Sequence, residues 1–152
     1  MLSLRELGTP QPAGAALLCP WIDLSGRMLG PPMDSPTLFH PHMARAFADA
    51  YLAGHPTDDP IVDPLRADLA GLPPLLIHSA SGDSVYQEAQ LLAKHATECE
   101  LTVTSTVFPV PTHDFHIFWS FQPEAATAIH QIGQFIDKVI QPCHQNRRTT
   151  HL

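Results

Sequence analysis

Basic residues are scarce. Lys and Arg number 8 against 15 Asp and Glu, and the formal net charge is -7 with His neutral. A nucleic-acid binder needs a basic face against the phosphates, so that class is excluded. Charged residues reach only 15% in total, well under the usual quarter, which argues against a highly charged disordered chain. Cysteines are few. Cys19, Cys99 and Cys143 form an odd, widely spaced set without a Cys-x-x-Cys pair. That pattern excludes a disulfide framework and reads as reduced thiols, packed as small apolar residues in a cytoplasmic protein. Long apolar runs are absent: none approaches the roughly 18 residues of a membrane span. The N-terminal stretch Met1-Leu-Ser-Leu-Arg-Glu-Leu7 has no basic segment leading into a long apolar one, so no secretory leader is expected.

What is present suits one globular domain. The 152 residues are 44% hydrophobic, enough to build a core. A helix over residues 2–7 stops at Gly8, with Pro10 and Pro12 beyond it. Residues 15–19 form a short apolar run between Pro12 and Pro20, as expected of a strand buried on both faces. A loop rich in Gly, Pro and Ser follows over 25–36. Met43, Phe47, Ala50 and Tyr51 then mark a helix over 42–52 that ends near Gly54. The next loop, punctuated by Pro56, Pro60 and Pro64, leaves room for a short helical turn at 66–69. Residues 75–78 give a second buried strand. Ala89, Leu92, Ala93 and Ala96 stripe a helix over 86–98, and the β-branched run within 102–108 is the third strand. An irregular loop over 110–121 leads to Pro123, which opens a long amphipathic helix reaching residue 140. Residues 141–152 are polar and aperiodic, a flexible tail.

Strand and helix alternate, and the strands are apolar. The expected class is α/β with a parallel sheet of three strands and flanking helices. The first strand would be an open hydrophobic edge, which soluble proteins avoid, so a neighbour is expected on that side. In such sheets functional residues collect beyond the carboxyl ends of strands. Asp83 follows the second strand and His113 the third. An Asp and a His on adjacent loops can meet as the orienting half of a Ser-His-Asp relay, in which the carboxylate fixes the imidazole tautomer.

The motifs extend this reading. Leu18-Cys-Pro-Trp-Ile-Asp-Leu24 resembles the Ser-Pro-Trp-x-Asp-Leu element of the hormone-sensitive-lipase-like branch of α/β-hydrolases. The stretch from Asp59-Pro-Ile-Val-Asp-Pro-Leu65 through Asp68-Leu-Ala-Gly-Leu-Pro-Pro74 is similar to that family's approach to its acid-bearing strand. Ser81-Gly-Asp83-Ser-Val85 occupies the place of the family's triad Asp, and Val110-Pro-Thr-His113-Asp-Phe115 resembles the context of its His. Leu4-Arg-Glu-Leu-Gly-Thr-Pro10 and the helix from Glu124 to Ile136 resemble the segments at either end. The resemblance implies a carboxylesterase or lipase fold. Residues 1–140 would be its C-terminal portion, holding family strands six to eight, with 25–54 a cap-like insertion. It also implies Asp83 as orienting acid and His113 as general base and acid, acting on a small-molecule ester.

Two family motifs do not occur in these residues: the oxyanion His-Gly-Gly-Gly and the Gly-x-Ser-x-Gly nucleophile elbow. The chain is therefore expected to carry two members of the relay and to be inactive alone. The alternative is a non-catalytic fragment or half-domain that associates, through its open edge, with a partner supplying the nucleophile. Gly82-Asp83-Ser84 superficially matches an elbow, but Val85 and Tyr86 stand where small residues are required, and Ser84 reads as a helix N-cap. Asp83 could equally be a cap on its local sequence alone. His113, Asp114 and His116 lack a third ligand at zinc spacing, so no metal or cofactor is expected. His40 and His42 read as solvated residues at a helix start. Trp21 and the aromatics from Phe115 to Trp119 could line an acyl pocket, although core packing is their commoner fate.

Overall fold

The computed structural model describes residues 1–28 and 41–141. His40, Cys143, nearly all of the expected tail and most of the glycine- and proline-rich loop lie outside the described residues.

Eight elements follow one another: α1 (Leu2–Glu6), β1 (Ala15–Leu18), α2 (Pro41–Leu52), β2 (Leu75–Ala80), α3 (Tyr86–Glu98), β3 (Val103–Phe108), a 3-10 turn (Phe115–Phe118) and α4 (Pro123–Ile140). The strands form one sheet in the order β1-β2-β3, every pairing parallel. This is the α/β arrangement with a three-stranded parallel sheet that the patterning anticipated. All six residues of the central β2 are buried, which is why residues 75–77 are a continuous apolar run rather than an alternating one. Leu75 and Ile77 face a cluster containing Ala89, Leu92 and Ala96 of α3. Ala80 belongs to an opposite cluster with Phe108, Phe115, and Ala125 and Ala128 of α4. The small residues of α3 and α4 are the ones that touch the sheet, so both helices approach closely.

Among the described residues, strand β1 pairs with β2 alone and is an edge. Leu18 at its end is 37% exposed. Large apolar side chains also stand out on the far side of α4, where Ile129, Ile136 and Ile140 are exposed.

Several local expectations need correction. Strand β2 runs two residues beyond the expected 75–78, because Ser79 and Ala80 pair with Val107 and Phe108 of β3. Residues 66–69 are bends and irregular backbone rather than a helical turn. There the Asp63 and Asp68 carboxylates accept the backbone N–H groups of Leu65 and Ala70 two residues on, the side-chain mimic of a turn. The loop over 110–121 is not wholly irregular, since Phe115–Phe118 closes a 3-10 turn around the buried Phe115. Phe115 is therefore a core residue, while Trp119 stays largely exposed.

Candidate active site

Two loops meet at the carboxyl edge of the sheet. The loop after β2 is tied to its neighbour by Ser81 N–H donating to the Phe108 carbonyl (2.9 Å) and Gly82 N–H donating to the Val110 carbonyl (3.1 Å). Gly82 has no side chain to hold the loops apart: a Cβ there would stand 2.7 Å from Pro111 Cα. The close approach delivers Asp83 to the far loop. His113 Nδ1 lies 2.8 Å from Asp83 Oδ2, with side-chain exposures of 17% and 2%. With the carboxylate as acceptor, Nδ1 carries the proton, and Nε2 lies 3.5 Å from Asp114 Oδ2. Burial alone would lower the pKa of His113. The hydrogen bond and charge of Asp83, together with the charge of Asp114, outweigh burial and raise it above its ordinary 6.5.

Asp83 has both local and long-range roles. Its Oδ1 accepts Val85 N–H at 3.3 Å at the start of α3, while Oδ2 faces His113. The cap residue of α3 is Val85, with no side-chain cap bond. Ser84 is thus not the cap expected of it. It is buried, with Oγ 3.5 Å from Asp83 Oδ1.

Four buried residues near the pair, Glu88, His78, His116 and Cys19, make contacts that spacing did not reveal. Glu88 in α3 is fully buried and accepts both Ile22 N–H and Asp23 N–H through Oε2, each at 2.7 Å. It ties α3 to the loop after β1. Burial, with the charges of Asp23 and Asp83, raises its pKa to about 7 against those two hydrogen bonds. Its position four residues before Leu92 on the buried stripe was the available signal. His78 in β2 and His116 in the 3-10 turn stack in parallel, with Nδ1 of His78 3.2 Å from Nε2 of His116. Burial lowers the pKa of both. For His116 the charges of His78 and His113 add to it, reaching about 4. A histidine inside the otherwise apolar β2 was the sequence clue to a buried imidazole. Cys19, immediately after β1, sits under the pair. Its thiol lies within 4.8 Å of ligand atoms of Asp83 and His113, and likewise of Asp114 and His116. It packs in the core as expected, yet it also faces four polar groups that its sequence position does not reveal.

Trp21 and Leu24 line a cavity of about 400 Å³ with Phe47, Tyr51, Ile61 and Val62. Phe115 is not among its walls.

A carboxylate bonded to an imidazole at the ends of adjacent parallel strands can fix the ring's tautomer and hold a proton on it. Known proteins share the surrounding architecture. Residues 1–117 match the family described as alpha/beta hydrolase fold. The chain belongs to that family. It is 34% identical over 136 residues to an acetyl-hydrolase of Streptomyces hygroscopicus, covering 88% of this chain and 46% of the relative. It is 31% identical over 156 residues to the carboxylesterase/phospholipase LipF of Mycobacterium tuberculosis, covering 90% and 40%. Among solved structures, a hormone-sensitive lipase from a metagenome library superimposes with a TM-score of 0.79 at 28% identity, covering 92% of this chain and 49% of that one. An esterase from the bacterial hormone-sensitive lipase family gives 0.77 at 30% identity, covering 92% and 48%. The chain thus spans about half the length of the relatives it resembles.

Among the described residues, no helix is long and apolar enough to cross a membrane.

Proposed function

We propose that this chain supplies the acid and base of a carboxylic-ester hydrolase, with His113 as general base and acid and Asp83 as its orienting carboxylate. The observation that carries the reading is the 2.8 Å contact between Asp83 Oδ2 and His113 Nδ1. In the reaction, a serine hydroxyl from the nucleophile-bearing part attacks the ester carbonyl while His113 Nε2 takes its proton. The imidazolium formed is stabilised by Asp83 and returns the proton to the leaving alcohol. Water repeats the sequence to release the acid. Neither the serine elbow nor the oxyanion glycines occur in these 152 residues, so the chain alone lacks the covalent route and most of the charge stabilisation. Residues 1–140 act as the C-terminal portion of the domain, with 25–54 a cap-like insertion. The exposed edge of β1 is where the nucleophile half docks. The free thiols of Cys19 and Cys99 suit a reducing, cytoplasmic setting.

The test is complementation. The chain, joined at Met1 to the nucleophile half of the Streptomyces acetyl-hydrolase, should turn over p-nitrophenyl acetate, whereas the chain alone should not. Asp83→Asn in the joined protein should cut kcat by about 10⁴-fold, and His113→Ala by at least as much. A folded joined protein in which both variants keep full turnover would overturn the assignment. The second reading, a non-catalytic half-domain, is favoured by the edge position of β1. It expects association with the nucleophile half without turnover.

A further inference from the structure

The turn that follows His113 carries a cluster that ester hydrolysis does not use. Cys19 Sγ, a carboxylate oxygen of Asp114 and a ring nitrogen of His116 all lie within 4.8 Å of one another. We propose that Cys19, Asp114 and His116 form a binding site for a thiophilic divalent metal ion of the Zn²⁺ type, with one coordination position left open.

Four observations support the site. The donors are a thiol, an imidazole and a carboxylate, the set that zinc and its tetrahedral relatives prefer. As thiolate, carboxylate and neutral imidazole, their two negative charges balance the ion, which lets it sit in a half-buried place. His116 has one ring nitrogen already engaged, Nε2 against His78 Nδ1 at 3.2 Å. Its Nδ1 is buried and has no hydrogen-bond partner, although the residue is only 5% exposed. A buried polar atom without a partner calls for a ligand. Finally, His78 behaves as an outer partner. With Nε2–H of His116 donating to His78 Nδ1, the Nδ1 lone pair of His116 is the one presented to an ion, the arrangement by which metal-bound imidazoles are oriented.

A rival donor set shares the same thiol, since Asp83 and His113 also come within 4.8 Å of Cys19. There the carboxylate and the imidazole are already bonded to each other at 2.8 Å, and an ion would compete with that contact. The set containing His116, whose Nδ1 has no partner, is therefore the site. Sequence spacing could not reveal it, because the third ligand arrives from just after β1, far from the other two in sequence.

Burial, with the charges of Asp83 and Asp114, pushes the Cys19 thiol up to about 12 against the Asp114 backbone N–H, so the unliganded thiol is protonated. Binding breaks the S–H bond and forms a sulfur–metal bond. The proton goes to the buffer and no electron is transferred. Affinity accordingly rises about tenfold per pH unit while the thiol is the group that must ionise. An ion here draws on Asp114, whose carboxylate otherwise lies 3.5 Å from His113 Nε2, so occupancy would reach the base of the proposed relay. The metal site itself stands or falls independently of ester hydrolysis.

The test uses the full chain with Cys99→Ser and Cys143→Ser, because Cys99 Sγ lies 3.9 Å from His95 Nε2 and could bind an ion itself. Titration with Co²⁺ should give tetrahedral visible bands and a near-ultraviolet thiolate-to-cobalt band. Zn²⁺ should displace them stoichiometrically, and calorimetry in two buffers should count the released proton. Cys19→Ser should abolish the near-ultraviolet band, and Asp114→Asn should weaken binding about tenfold or more. His116→Phe should do the same, while Asp83→Asn, which removes a charge that opposes ionisation of the thiol, should not weaken binding. Folding of each variant is checked by circular dichroism. Asp114→Asn decides if a buried variant unfolds, because that side chain is half exposed. No binding by the folded background protein would overturn the proposal. So would a band that survives Cys19→Ser, or dependence on Asp83 rather than Asp114.

Discussion

Gly82 and Pro111 touch across the two loops of the site so closely that a Cβ on Gly82 would stand 2.7 Å from Pro111 Cα. The contact is backbone against backbone, so no flexible side-chain end can yield. Gly82→Ala should destabilise the chain by about 1–3 kcal/mol and move Asp83 away from His113. Chemical denaturation measures the first effect. The second appears as a fall in the His113 pKa by NMR. A variant as stable as the parent, with an unchanged His113 titration, would show that the loops are not held by this contact.

Asp83→Asn removes the charge and the ionic hydrogen bond that raise the His113 pKa. Its imidazole resonances should titrate at lower pH than in the parent, in the direction burial alone dictates. Linkage gives a second readout. A histidine whose folded pKa is raised contributes stability that is present in full below its ordinary 6.5 and is lost as pH rises through the folded value. The stability lost in Asp83→Asn through this pair should therefore be larger in mild acid than in mild alkali, as urea melts at the two conditions would show.

Glu88→Ala deletes an acceptor shared by two backbone N–H groups and leaves a cavity in a fully buried place. The expected destabilisation is about 2–4 kcal/mol, with Glu88→Gln distinctly milder because its carbonyl oxygen still accepts. Equal losses in the two variants, by thermal or chemical melts, would show that the hydrogen bonds contribute nothing.

Acid acts on the His78–His116 pair with the opposite sign from His113. Their folded pKa values are depressed, that of His116 to about 4. The unfolded chain therefore takes up protons first, and stability falls as pH drops from about 6.5 toward 4. Glu88, raised to about 7 from 4.5, opposes this: its contribution falls as pH climbs through the same window. The slopes partly cancel in the parent chain. His116→Phe should expose the Glu88 slope, giving a protein whose stability declines between about pH 5 and 7 more steeply than the parent's. An unchanged slope would mean that His116 does not titrate with folding.

Much of the fold was legible in the residues. The three strands and the helices over 41–52, 86–98 and 123–140 follow from apolar runs and 3.6-residue stripes, because periodicity reports which face of an element is buried. Asp83 and His113 could be named from their places after adjacent strands. The end of β2, the failed helical turn near Arg66 and the cap of α3 were less legible, since each depends on a hydrogen-bond partner rather than on the local pattern. Ser79 and Ala80 belong to the strand only because β3 extends beside them. Ser84 has the chemistry of a cap, but Asp83 takes the Val85 N–H instead.

What the residues determined alone was the alternation of strands and helices, the acidic and thiol-poor character, and the identity of one carboxylate and one imidazole. The tertiary structure decided which polar groups share a low-dielectric interior. Glu88 reaches back to Ile22, His78 meets His116, and Cys19 comes to rest beneath His113. Those meetings join segments remote in sequence. Local propensity acts over a few residues, whereas such contacts arise only when the sheet brings the ends of three strands to one rim.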